Sequence, residues 1–159
     1  MPYTALLLTL ADAVVTEING QTWAIDTPAV RSYADDDEPL EESGPPLLEV
    51  IPPETYEQED LATRGSEART ATIRISLRQR FGQGERDDVT GGTQREVMDR
   101  NVSALEEIGR HLSTIRLSGC TSAAWMDSKT QLYRRDHLRQ LNQYTGTVDV
   151  TYRITDDLQ

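Results

Sequence analysis

The chain has 159 residues, the length of a single domain, and only 36% of them are hydrophobic. Leu, Ile, Val and Phe together make up about 21% of it, close to the level at which chains stay disordered, so a thin core is expected. No apolar run approaches the ~18 residues needed to cross a bilayer, and the single cysteine, Cys120, excludes an intrachain disulfide framework and fits a reducing cytosol.

The net charge of −11 sits in one place. Between Arg31 and Arg64 there is no Lys or Arg, yet this stretch holds Asp35, Asp36, Asp37, Glu38, Glu41, Glu42, Glu49, Glu54, Glu57, Glu59 and Asp60. These eleven carboxylates equal the whole imbalance, which leaves the rest of the chain neutral. The stretch also carries Pro39, Pro45, Pro46, Pro52 and Pro53, five of the seven prolines. Proline removes donors and like charges repel, so residues 31–68 are expected to form an extended acidic arm.

Tyr3, Leu6, Leu7, Leu10, Val14 and Ile18 form a stripe at helical period, and Asn19-Gly20 supplies the stop, so a helix is expected over Tyr3–Ile18. No positive residue precedes Ala5-Leu6-Leu7-Leu8, and Asp12 and Glu17 interrupt it, so it does not read as a secretory signal. Trp23–Val30 reads as an edge strand broken by Pro28. Leu47–Ile51 reads as a short strand, the returning limb of a long hairpin within the arm.

Arg69–Phe81 carries the strongest strand signal. Ala71, Ile73, Ile75, Leu77 and Phe81 point one way, and Thr72, Arg74, Ser76, Arg78 and Arg80 the other. Residues 82–92 are expected to form a mobile loop, marked by Gly82, Gly84, Gly91 and Gly92 around Arg86. Thr93 and Glu96 make a capping box for a helix that places Val97, Met98, Val102, Leu105, Ile108, Leu112 and Ile115 on one side. Ala123–Met126 and Gln131–Tyr133 suggest a hairpin around Asp127-Ser128-Lys129, followed by one helical turn over Asp136–Leu141. A last strand over Thr145–Ile154 turns Val148, Val150, Tyr152 and Ile154 inward. The expected fold is one α+β domain: a mixed, mostly antiparallel sheet with two helices on one face and an extended acidic hairpin arm.

No catalytic motif is present. There is no phosphate loop, no Gly-x-Ser-x-Gly, no His-Glu-x-x-His and no Cys-x-x-Cys. His111 reads as a helix-capping or surface residue, His137 as a surface residue and Cys120 as an inert thiol. The run Asp35-Asp36-Asp37-Glu38 lacks the ligand spacing and turn glycine of a calcium loop. No enzyme activity, metal or cofactor is expected.

The arginine side of the strand over 69–81 is either a solvated sheet face or an anion-binding strip. A sequence pI near 4.6 argues against tight DNA binding, so the natural partner for the strip is the acidic arm of a neighbouring copy. Asp35, Asp36, Asp37, Glu38, Glu41 and Glu42 are expected to reach across a subunit boundary toward Arg74, Arg78 and Arg80. A thin core, a long arm and a glycine-rich loop together suggest that copies complete one another's surfaces.

The order of these features resembles the phage tail terminator proteins of the lambda type and their relatives among neck proteins. The resemblance rests on the helix over Tyr3–Ile18, the extended hairpin, the strand over Arg69–Phe81, the glycine-rich loop, the helix over Thr93–Ile115 and the last strand Gly146–Ile154. The acidic arm departs from the compact form of that pattern.

The resemblance implies a structural virion protein that assembles, with host cytoplasm as the place of assembly, into a ring, a hexamer in that family. Such a ring caps the tail tube and meets the neck connector or stopper. Its partners would be itself, the tail tube protein and that connector, with genomic DNA passing through the lumen unrecognised and no membrane involved. Acidic residues in the lumen would let DNA slide. Two rivals are a head-completion or stopper protein of the same neck and a small acidic inhibitor of a host enzyme.

Overall fold

A computed structural model describes residues 6–34, 36–59, 66–82 and 92–157. Helix α1 (Leu6–Asn19) buries Leu10, Ala11, Ala13, Val14 and Ile18, the face marked by the apolar stripe. The Gly20 amide closes its last turn on Thr16 O at 3.0 Å, and the Trp23 indole donates to Ile18 O at 2.8 Å. The same carbonyl also accepts from the Gln21 amide at 3.2 Å, so the indole adds a second bond at the helix end. The stretch expected as a strand from Trp23 is accordingly not one: strand β1 covers only Ala29–Arg31, after Pro28.

Strands β2 (Leu47–Ile51), β3 (Glu57–Glu59), β4 (Ser66–Arg80), β5 (Ala123–Gln131) and β6 (Gln143–Asp157) complete the sheet, in the order β1-β2-β4-β6-β5, with β3 also pairing β4. β2 and β3 lie end to end along β4, opposite residues 74–78 and 68–70. Pro52-Pro53 interrupts them, since neither residue can donate to the ladder. β1 runs parallel to β2 and every other pair is antiparallel, so the sheet is mixed and mostly antiparallel as expected. The parallel pairing also corrects one expectation: Leu47–Ile51 is not the returning limb of a hairpin, because residues 32–46 carry the chain back to the starting end.

Helix α2 (Gly92–Thr114) begins one residue before Thr93, which therefore lies inside the helix and not at its cap. It packs on β5 and β6, α1 packs on β1 and β2, and a single apolar cluster joins both helices to the sheet. The cluster contains Leu48, Val50, Ile73, Ile75, Leu77, Val148, Val150, Tyr152 and Ile154, all from one face. Gly146 marks a tight approach: a Cβ there would lie 2.5 Å from the Tyr144 hydroxyl, 2.7 Å from Leu105 Cδ2 and 2.8 Å from Leu132 O.

The hairpin expected over residues 123–133 is instead the one strand β5, with a bulge between Trp125 and Asp127. Helix α3 (Arg135–Gln140) matches the expected turn, and Asn142 at φ 51° ends it. Asparagine tolerates this left-handed conformation. Its carbonyl accepts from the Phe81 amide at 3.0 Å, tying the start of β6 to the end of β4.

Candidate functional site

The helix-free face of the sheet is polar. Thr72, Arg74, Ser76, Arg78 and Arg80 project from β4 opposite Thr151, Asp149, Thr147, Thr145 and Gln143 of β6. Strict alternation predicts a wet face, and in the middle of β4 it is one: Thr72 and Arg74 are exposed. Further along, Ser76, Arg78, Gln143, Thr145 and Thr147 are buried. Residues 36–44, from the strap that joins the parallel strands β1 and β2, contact this face.

Side chains of β4 and β6 hold the strap by its main chain. Arg78 donates to Glu38 O at 3.2 Å, and Arg80 donates to Leu40 O at 2.9 Å and Glu41 O at 2.7 Å. Gln79 donates to Gly44 O at 3.0 Å, and the Leu40 amide donates to Gln143 Oε1 at 2.7 Å. The arginines thus meet the acidic run of their own chain, whereas the contact was expected across a subunit boundary. Asp36 is buried and takes Arg74 at 3.2 Å, while Asp149 takes the same guanidinium at 2.8 Å. These two carboxylates, Asp149 foremost, hold the Arg74 proton above the ordinary arginine range. Asp37 pairs with Arg134 just before α3, which keeps its carboxyl below the usual range. Arg134 also holds Asp136 at 2.8 Å, with the same effect on that carboxyl.

Glu38, Glu41 and Glu42 carry exposed side chains, and Glu41 and Glu42 border a shallow cavity with Arg80 and Gly82. Asp35 and the loop residues Gly84, Arg86 and Gly91 lie outside the described residues, and Gly92 opens α2. Sequence reasoning missed Glu49, Gln79, Arg134, Gln143 and His137. Glu49 meets Arg78 at 2.5 Å, each side chain only 5% exposed. Its place on β2 opposite Ser76 carried a signal, since it puts a carboxylate on the arginine side of β4.

His137 is buried and not at the surface as expected. Its Nδ1 lies 2.7 Å from Thr145 Oγ1, which also accepts from Gln143 Nε2 at 2.9 Å. Burial holds the imidazole proton affinity below its ordinary value, with Arg134 adding to the effect against Asp136, Asp37 and Asp36. His111 also departs from expectation. It joins the two long helices, its Nε2 2.7 Å from Glu17 Oε1 and its ring edge-on to Trp23 at 5.6 Å.

Where the strap turns away, a groove of about 600 Å³ opens between Tyr33, Asp36, Pro52, Glu54, Arg74 and Asp149. On the opposite flank of the sheet, β5 is an edge strand in which only Ala123 is buried, with Trp125 at 38% and Met126 at 48% exposure. The other edge is covered: the Asn19 carboxamide accepts from Ala29 N at 2.7 Å and donates to Ala29 O at 3.0 Å, as a neighbouring strand would. Among the described residues no group of three or more His, Cys, Asp and Glu side chains is placed to hold a metal ion, and no helix is long and apolar enough to cross a membrane. Compared with protein-family models and with curated protein sequences, the chain matches none.

Proposed function

We propose that this chain is a structural subunit of a tailed-phage neck, forming a ring that terminates the tail tube and joins tail to head. The observation that carries the reading is the open β5 edge, exposed on both faces along most of its length. Such an edge is a template for pairing with another chain, and folded proteins ordinarily blunt it. Here one edge is capped by Asn19, while the other presents Trp125 and Met126 and is blunted only in part, by the bulge before Asp127 and by the exposed Lys129. Paired with its own counterpart such an edge closes a twofold dimer; paired with a different surface of the next copy it makes a head-to-tail contact, and a head-to-tail contact that repeats around an axis closes into the ring proposed here.

The element order supports the same reading: α1, the acidic stretch, the long β4, then α2 and the closing strands follow the pattern of the tail terminators. The strap completes its own sheet face, so the case for assembly rests on β5 and not on an arm that needs a neighbour. The exposed carboxylates of Glu38, Glu41 and Glu42 suit a protein past which DNA slides without being held.

The test is electron microscopy of phage particles carrying tagged chain. Label at the head–tail junction is the expected result, and label elsewhere, or none, overturns the proposal. Co-purification with tail tube subunits identifies a terminator, and co-purification with the portal complex identifies a stopper.

A further inference from the structure

We propose that a proton taken up by His137 unlatches the strap at Leu40: the Thr145 hydroxyl and the Gln143 carboxamide between them reverse their hydrogen bonds, and the Leu40 amide is let go. The four groups form one chain of contacts. The Leu40 amide donates to Gln143 Oε1 at 2.7 Å, Gln143 Nε2 donates to Thr145 Oγ1 at 2.9 Å, and Thr145 Oγ1 lies 2.7 Å from His137 Nδ1. A backbone N–H can only donate, so Leu40 fixes which way the Gln143 carboxamide faces. Thr145 accepts from Gln143, which leaves its single hydroxyl proton for Nδ1. The imidazole is then neutral and carries its own proton on Nε2.

A second ring proton ends this arrangement. Imidazolium has protons on both nitrogens, so Nδ1 must donate to Thr145 Oγ1, and the Thr145 proton loses its acceptor. Gln143 and Thr145 are both fully buried, and a buried donor without a partner is costly. Turning the Gln143 carboxamide over offers Oε1 to that proton and points Nε2 at the Leu40 amide. Two donors then face each other, and the bond to the strap is lost. The loss falls where it costs least, since Leu40 is only half-buried and water can take its amide.

The groups around the ring set how far the change spreads. Burial and the Arg134 guanidinium oppose the charged ring, while Asp136 of α3 and Asp37 and Asp36 of the strap favour it. Arg78, opposite Thr145 on β4, is matched by Glu49. The Asp36–Arg74 and Asp37–Arg134 pairs and the Arg80 bonds to Leu40 O and Glu41 O lie outside the relay. They stay closed, so the strap is loosened at Leu40 and not released.

The experiment reads amide hydrogen exchange by NMR on the full-length chain from about pH 8 to about pH 5, each rate compared with that of an unstructured amide at the same pH. The His137 ring nitrogen shifts report when the imidazole is charged. Leu40 protection is expected to fall at least about fivefold as His137 charges, while the Ser32 amide, bonded to Val50 O and outside the relay, keeps its protection. Thr145→Val should leave Leu40 protection flat while His137 still titrates, and Thr145→Ser, which keeps the hydroxyl, should retain the fall. A Leu40 amide unchanged through the His137 titration overturns the proposal. So does an equal loss at Ser32, which marks a general loosening of the fold, or a fall that survives Thr145→Val. The comparison of Leu40 with Ser32 in the parent chain decides the matter even where Thr145→Val does not fold.

Discussion

Arg78 and Glu49 meet where two charges have almost no water, and their pairing decides whether the polar layer closes. Removing one partner of a buried ion pair leaves the other uncompensated, at a cost of about 3–5 kcal/mol. Glu49→Ala should therefore destabilise the chain by that amount in chemical denaturation, whereas Arg78→Met combined with Glu49→Leu should cost far less, because both charges leave together. A double variant as unstable as Glu49→Ala would show that Arg78 matters mainly through its bond to Glu38 O.

His137 gives the same layer a pH response. Its proton affinity in the folded chain lies below the ordinary 6.5, so between the two values the unfolded chain binds more protons. Stability is then constant above about pH 7 and falls as the pH drops through 6.5 toward the folded-state value. Asp37 and Asp136, both held below 3.8, lose their contribution only at more acid pH, so the two windows are separate. Melting temperatures measured from pH 8 to pH 5 should slope downward in the parent and flatten in His137→Gln. An unchanged slope in the variant would assign the response to another group.

Asn19 and Gly146 act at the scale of elements, one by ending a sheet and the other by letting a helix approach it. Asn19→Ala leaves the buried Ala29 amide and carbonyl without their side-chain partner, which should cost about 1–3 kcal/mol and raise self-association through the opened β1 edge. Gly146→Ala places a methyl against Leu105 and the Leu132 carbonyl, so overpacking of about 1–3 kcal/mol is expected. Both are read as shifts in denaturation midpoint, and Asn19→Ala also by light scattering.

These elements also show what the amino-acid pattern could and could not reveal. The stripes of α1 and α2 and the alternation in β4 and β6 were legible because each buries one side against the same apolar cluster. β1 shrank to three residues because Trp23 is used to close a helix, a role with no periodicity. β3, with Glu57, Gln58 and Glu59, carries no apolar signal and exists because β4 offers it a partner. The site was half legible. The acids and arginines were identified, but whether they meet within or between chains depends on the path of residues 32–46, which local pattern does not encode. Gln79 and Gln143 were invisible because an amide that grips main chain looks like any surface glutamine.

At the scale of the molecule the two sheet edges and the strapped face divide the labour. The strap covers the polar face from within the chain and Asn19 caps the sheet at β1, so among the described residues the open strand edges are the three-residue β3 and the longer flank formed by β5. A lysine on an exposed edge strand is one natural device against edge-to-edge pairing, and β5 already carries one, Lys129. Ala124→Lys with Met126→Lys adds two such charges at exposed positions. Substitutions of that kind ordinarily change stability by no more than about 0.5 kcal/mol. The double variant should therefore melt like the parent yet fail to join tails to heads in a complementation assay, and native mass spectrometry should show the ring replaced by monomer. Retained joining with both lysines in place would mean that neighbours meet elsewhere, and the open β5 edge would then be a surface feature without a role in assembly.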